Sequence, residues 1–154
     1  MNGALILKTY RSLNLRIGNV MFFKKSNRIQ DSIDTLIGAD TRIEGNVHFT
    51  GGLRVDGVVR GNVTEPNASP STLILGEKGR IEGAVTASKV VIIGNVVGPV
   101  TSGIFIELQA TAHITGDVYY KSLEMHTGAV IEGKLVYLGD SAKAANEGID
   151  QTNL

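Results

Sequence analysis

A five-residue phrase recurs along the chain: an aliphatic residue, any residue, glycine, any residue, and a second aliphatic. It reads IEGNV (43–47), VRGNV (59–63), IEGAV (81–85), VVGPV (96–100), ITGDV (114–118) and IEGKL (131–135). The glycines are spaced by 16, 22, 15, 18 and 17 residues. A third apolar column precedes the phrase by six residues: Ile37, Leu53, Leu75, Val90, Leu108 and Met125. A fixed period with a strand-like step of two marks a solenoid, in which each repeat buries its apolar side against its neighbours. One repeat of ~17–18 residues at ~3.3 Å per residue supplies about 57 Å of contour, enough for three short sides. Glycine serves the corners, where a Cβ would crowd the next coil. No 3.6-residue period accompanies the phrase, so helical repeats are disfavoured. The pattern predicts an all-β, single-stranded parallel β-helix of about six coils over residues 35–137. A tail at 1–34 and a polar, disordered tail at 138–154 flank it.

The residue before each phrase glycine faces outward. In the first three repeats it is Glu44, Arg60 and Glu82. Stacking at ~4.8 Å predicts an alternating charge ladder with these side chains within about 8 Å of one another. The long 22-residue interval holds TEPNASPST (64–72), whose Pro66 and Pro70 cannot donate ladder hydrogen bonds, so a surface loop is expected there.

Composition narrows the chemistry. Lysine plus arginine and aspartate plus glutamate stand at 15 each among 154 residues, so no global charge steers the chain toward nucleic acid. Without cysteine there is neither a disulfide framework nor a thiolate metal site. No apolar run reaches the ~18 residues of a membrane-spanning helix. Lys8, Arg11 and Arg16 interrupt the first twenty residues, against a secretory signal.

No nucleophile elbow, P-loop or dinucleotide fingerprint occurs. LGEKGR (75–80) lacks the Gly-Lys-Ser/Thr ending of a phosphate loop and falls at a coil corner. Asp56, Glu107 and Asp117 read as single carboxylates; the histidines are His48, His113 and His126, of which His113 and His126 read as surface residues rather than zinc ligands. No catalytic residue, cofactor or metal is expected. Two rivals remain open: a trimeric hexapeptide-type β-helix enzyme (an acyltransferase or a zinc carbonic anhydrase-like protein), and a monomeric solenoid adaptor.

The order of phrases carries a resemblance. TLIGADTRIEGNVHFTGGLRVDGVVRGNV, then LILGEKGRIEGAVTASKVVIIGNVVGPV, and finally GAVIEGKL resemble the bactofilins, bacterial cytoskeletal proteins. The resemblance implies a right-handed β-helix with flexible termini. It also implies nucleotide-independent, head-to-tail polymerisation into filaments that scaffold cell-shape and cell-wall synthesis proteins. Open solenoid ends favour polymerisation independently, because unpaired strand edges invite another chain. The contact candidates are Leu36, Ile37 and Ile43 at one end and Val130, Leu135, Val136 and Tyr137 at the other.

MFFKKSNR (21–28) resembles the short membrane-targeting peptide of many bactofilins. Met21, Phe22 and Phe23 would enter the interface, while Lys24, Lys25 and Arg28 would meet anionic headgroups. The expected location is cytoplasmic, on the inner face of the cytoplasmic membrane, with Met21 as the native start.

Overall fold

The computed structural model describes residues 32–66 and 69–139. Sixteen strands fill these residues, and every pairing between them is parallel. Each repeat forms one three-sided coil. The second sides stack as Arg42–Glu44, Val58–Arg60, Arg80–Glu82, Asn95–Val97, His113–Thr115 and Val130–Glu132, giving a six-stranded sheet. In each strand the middle aliphatic points inward and its neighbours point out, because side chains alternate along a strand. The leading aliphatic of the phrase is that middle residue.

The first and third sides make a ten-stranded sheet. First sides begin with Thr35–Ile37, Gly52–Val55 and Thr72–Leu75 and end with Leu123–Met125. Third sides include Val47–His48, Val63–Thr64, Val118–Tyr120 and Leu135–Tyr137. Two long strands, Val85–Ile92 and Val100–Leu108, run through a corner and supply a third side and the next first side together. Their mutual register shifts between Ala87 and Lys89. At that bulge the Ser102 hydroxyl is fully buried and donates to the Ser88 and Phe105 carbonyls, so the bend leaves it satisfied.

The core is a column of aliphatics. Val59, Ile81, Val96 and Ile114 are 0% exposed, as are Val63, Val100 and Val118. Each such burial stabilises by ~1.5–3 kcal/mol. A one-residue slip would turn every one of them outward, which fixes the register.

The phrase glycines turn the corner between second and third sides. Gly61, Gly83, Gly98 and Gly116 have φ of +156°, +157°, +145° and +153°. A Cβ built on any of them would overlap the carbonyl oxygen of the glycine one coil below. Beside this column Asn46 Oδ1 accepts from Asn62 N–H at 2.8 Å, and Asn62 Oδ1 accepts from Ala84 N–H at 2.9 Å.

The corner between first and second sides corrects one sequence alignment. Ile37, Val55, Leu75, Ile92, Leu108 and Met125 stand in register, so Val55 and Ile92 belong to this column, and Leu53 and Val90, which the six-residue rule gives, sit one inward position before it. The corners at 56–57 and 93–94 hold two residues where the others hold four. A difference of two keeps both residues on the inward side, so the apolar column survives the shift.

The 64–72 insertion lies at the corner between third and first sides. Glu65 pins it by accepting from the backbone N–H of Ser71 at 2.9 Å and of Ser88 at 2.8 Å. Thr64 and Thr72 themselves belong to strands.

Candidate functional site

A solenoid's inner coils have a neighbouring coil on both sides, whereas each end coil has one on a single side. In the described residues the first coil pairs only with the second, and the sixth only with the fifth. Burial follows. The leading and trailing aliphatics of the middle four coils are 0–1% exposed. Ile43, Val47 and Ile131 are half-buried, and Leu135 reaches 48%.

The two ends differ. In the first coil Ile37 is 6% and Phe49 7% exposed. In the sixth, Met125, in register with Ile37 five coils on, is 43% exposed and Tyr137 57%. Tyr137 packs against Tyr120 with ring centroids 5.9 Å apart and ring planes tilted by 53°, so part of its ring meets its own chain. The sixth coil thus leaves Leu123, Met125, Ile131, Leu135 and Tyr137, all residues of inward columns, incompletely covered.

The seven end residues named from sequence fall into two groups. Ile37, Ile43, Leu135 and Tyr137 occupy inward columns at the ends. Leu36, Val130 and Val136 alternate with them and therefore stand on the outer faces. Sequence reasoning passed over Leu123, Met125 and Ile131 as end residues. Their position in the last repeat was the available signal, because every core column must end there. Met21, Phe22, Phe23, Lys24, Lys25 and Arg28 lie outside the described residues.

The charge ladder forms on the second side. Arg60 Nη1 lies 3.6 Å from Glu44 Oε2, and Arg60 Nε donates to Glu82 Oε1 at 3.0 Å. Arg80 Nε donates to the other Glu82 oxygen at 2.7 Å. That bond does most to hold the Glu82 carboxyl below its ordinary value; desolvation opposes it, and the Arg60 charge adds to the lowering. These side chains are exposed, so solvent screening keeps each pair weak.

Coil stacking also brings together residues that look isolated in sequence. Glu107 and Glu124 are register partners, and His126 Nε2 lies 3.2 Å from Glu107 Oε1. Glu107 is therefore not a single carboxylate: its 17-residue spacing from Glu124 is one repeat. The ligand atoms of this trio lie within 4.8 Å of one another, the one grouping of at least three potential metal ligands among the described residues. Glu124 and His126 are exposed on a flat face, and Gln109 Nε2 also contacts Glu107. His113 is separate, with Nε2 3.4 Å from Glu132 Oε1.

Comparison with known proteins agrees with this geometry. The family model for bactofilins, described as polymer-forming cytoskeletal, matches residues 35–136. The cryo-EM reconstruction of Thermus thermophilus bactofilin double helical filaments is similar in fold. It is 34% identical, covers 67% of this chain and 98% of that one, and has a TM-score of 0.55. A search among curated proteins gives no match.

Proposed function

The chain belongs to the bactofilin family of polymer-forming cytoskeletal proteins, and on that premise we propose that it assembles end to end, without nucleotide, into filaments at the inner face of the cytoplasmic membrane. The observation that carries this reading is the sixth coil, whose core columns end in exposed Met125, Leu135 and Tyr137. A β-solenoid extends by adding one more coil, and another copy's end supplies it. Nothing in that contact requires a nucleotide, because apolar burial and backbone pairing drive it. Filaments of this chain pair into double strands, as the Thermus thermophilus relative does.

Two arrangements are compatible with end contact. Head-to-tail stacking carries the parallel register across each junction, whereas contact of like ends places a two-fold axis there. Averaged cryo-EM images distinguish them. The filament serves as a non-enzymatic scaffold, positioning cell-wall synthesis or remodelling proteins.

Membrane attachment rests on residues 21–28. Phe22 and Phe23 contribute at most ~2 kcal/mol each by burial. Lys24, Lys25 and Arg28 add ~1 kcal/mol each at an anionic leaflet. One copy binds weakly, and a filament carrying many copies binds firmly.

Negative-stain electron microscopy of the full purified chain, without nucleotide or added metal, tests assembly. Long thin filaments are expected; discrete particles at every protein and salt concentration overturn the reading. Deleting residues 21–25 should keep the protein out of the floating fraction when it is floated with anionic vesicles on a density gradient. Undiminished flotation removes the anchor.

A further inference from the structure

Pairing of two filaments needs a contact surface besides the coil ends, and the three faces of the solenoid are not equivalent. The second side carries Arg42, Glu44, Arg60, Arg80, Glu82 and Glu132 at outward positions. The first side carries Arg54, Lys89, Glu107 and Glu124. The outward column of the third side runs His48, Thr64, Thr86, Thr101, Tyr119 and Val136 in unbroken register. It holds no Asp, Glu, Lys or Arg in any of the six coils. A charged face must shed water from its ions to meet another protein, and interface centres are depleted in charge for that reason. Threonine methyls pack on a flat sheet, and threonine hydroxyls both donate and accept.

We propose that this third side is the lateral face on which one filament of this chain meets a second copy of itself. The inference rests on the self-assembly reading above and adds which surface pairs the strands. Size supports a second copy in filament form rather than a free dimer. A strip about three residues wide and six coils long covers roughly 300 Å². A stable pairwise contact needs about 800 Å² per partner. Two isolated chains therefore do not hold, but chains already joined end to end present the strip repeatedly and bind by avidity. Lateral pairing accordingly appears only once filaments have formed.

The test compares full-length wild type with Thr101→Lys and Thr86→Lys, each placing a charge at the middle of the strip, and with Val97→Lys on the charged second side. Electron microscopy should show paired wild-type and Val97→Lys filaments, and single filaments of unchanged length for both threonine variants. Melting curves monitored by circular dichroism check that the variants fold. A second measurement uses the absence of native cysteine. Filaments of Thr86→Cys mixed with Thr101→Cys should yield a disulfide-linked dimer on oxidation, whereas Thr115→Cys on the second side should not. Residues 86 and 101 lie in the middle coils, too far from either end to reach a neighbour in the same strand. Paired filaments in both threonine variants, unzipping by Val97→Lys, or equal cross-linking at position 115 overturns the proposal. Wild-type filaments that stay single overturn it too, whereas failure to form any filament overturns the self-assembly reading beneath it.

Discussion

Tyr137 offers the sharpest test of end contact. Its side chain closes the last third side and is 57% exposed. An aromatic residue buries ~150–250 Å² when fully covered, so about 110 Å² of Tyr137 is exposed and open to a contact with another copy. At ~25 cal/mol per Å² that is at most about 3 kcal/mol, or on the order of a 100-fold change in the end-contact equilibrium. When every junction is equivalent, mean filament length scales as the square root of that constant. Tyr137→Ala should therefore shorten filaments by up to about tenfold at fixed protein concentration. The same substitution also loses the tilted ring contact with Tyr120, worth ~0.5–1.5 kcal/mol to the single chain. Length distributions from electron microscopy, with melting of the unassembled protein as the control, separate the two effects. Filaments of wild-type length in a folded Tyr137→Ala protein would refute the assignment of the sixth coil as a contact.

Three further outcomes follow from the geometry. Gly83→Ala forces a Cβ into the Gly61 carbonyl at φ +157°; strain and overpacking together cost about 3–5 kcal/mol. Gly45→Ala, with φ +137° and no described atom within 4 Å of its Cβ, costs only ~1–2 kcal/mol of backbone strain, and equal losses in thermal melts would contradict the stacked-glycine account. Glu82 has a lowered folded-state pKa, so its contribution is present above the unfolded value and fades as pH falls through the folded one. The melting difference between wild type and Glu82→Gln should thus be visible at neutral pH, shrink in high salt, and vanish in acid. A difference that persists in acid would mean the glutamine perturbs something other than the charge ladder.

Periodicity made the fold legible because a solenoid core repeats whenever the chain does. The phrase located the corner glycines, the inward Ile and Val columns and the Glu44–Arg60–Glu82 ladder directly. Leu53 and Val90 were placed one inward position away from their partners, and their apolar character could not reveal it. A strand's sides alternate every two residues, so a corner shortened by two leaves an equally apolar pattern. The distinguishing signal was in the corners themselves, where 56–57 and 93–94 lack the four-residue spacing seen at 38–41 and 76–79. Glu107, Glu124 and His126 were hidden for the opposite reason. They are outward residues, free of the apolar constraint, and only adding one repeat length to position 107 brings them together.

The ends were the least legible part because a candidate drawn from the last repeat needs its side as well as its place. Leu135 and Val136 make the distinction testable. Adjacent in one strand, they point to opposite sides of the sheet: Leu135 continues the Val118 core column, and Val136 continues the Tyr119 outer column. If coil ends make the filament and the third side pairs two filaments, their substitutions have different consequences. Leu135→Arg puts a charge into the column that another copy must cover, so the filaments should shorten. Val136→Lys leaves that column intact and charges the lateral strip, so filaments should keep their length and separate into single strands. Length and pairing are read from the same electron micrographs, which removes differences in preparation. Two substitutions that both shorten the filaments would place Val136 in the end contact and confine lateral pairing to the middle of the strip. Two that both separate strands without shortening them would move the end contact away from the sixth coil's third side.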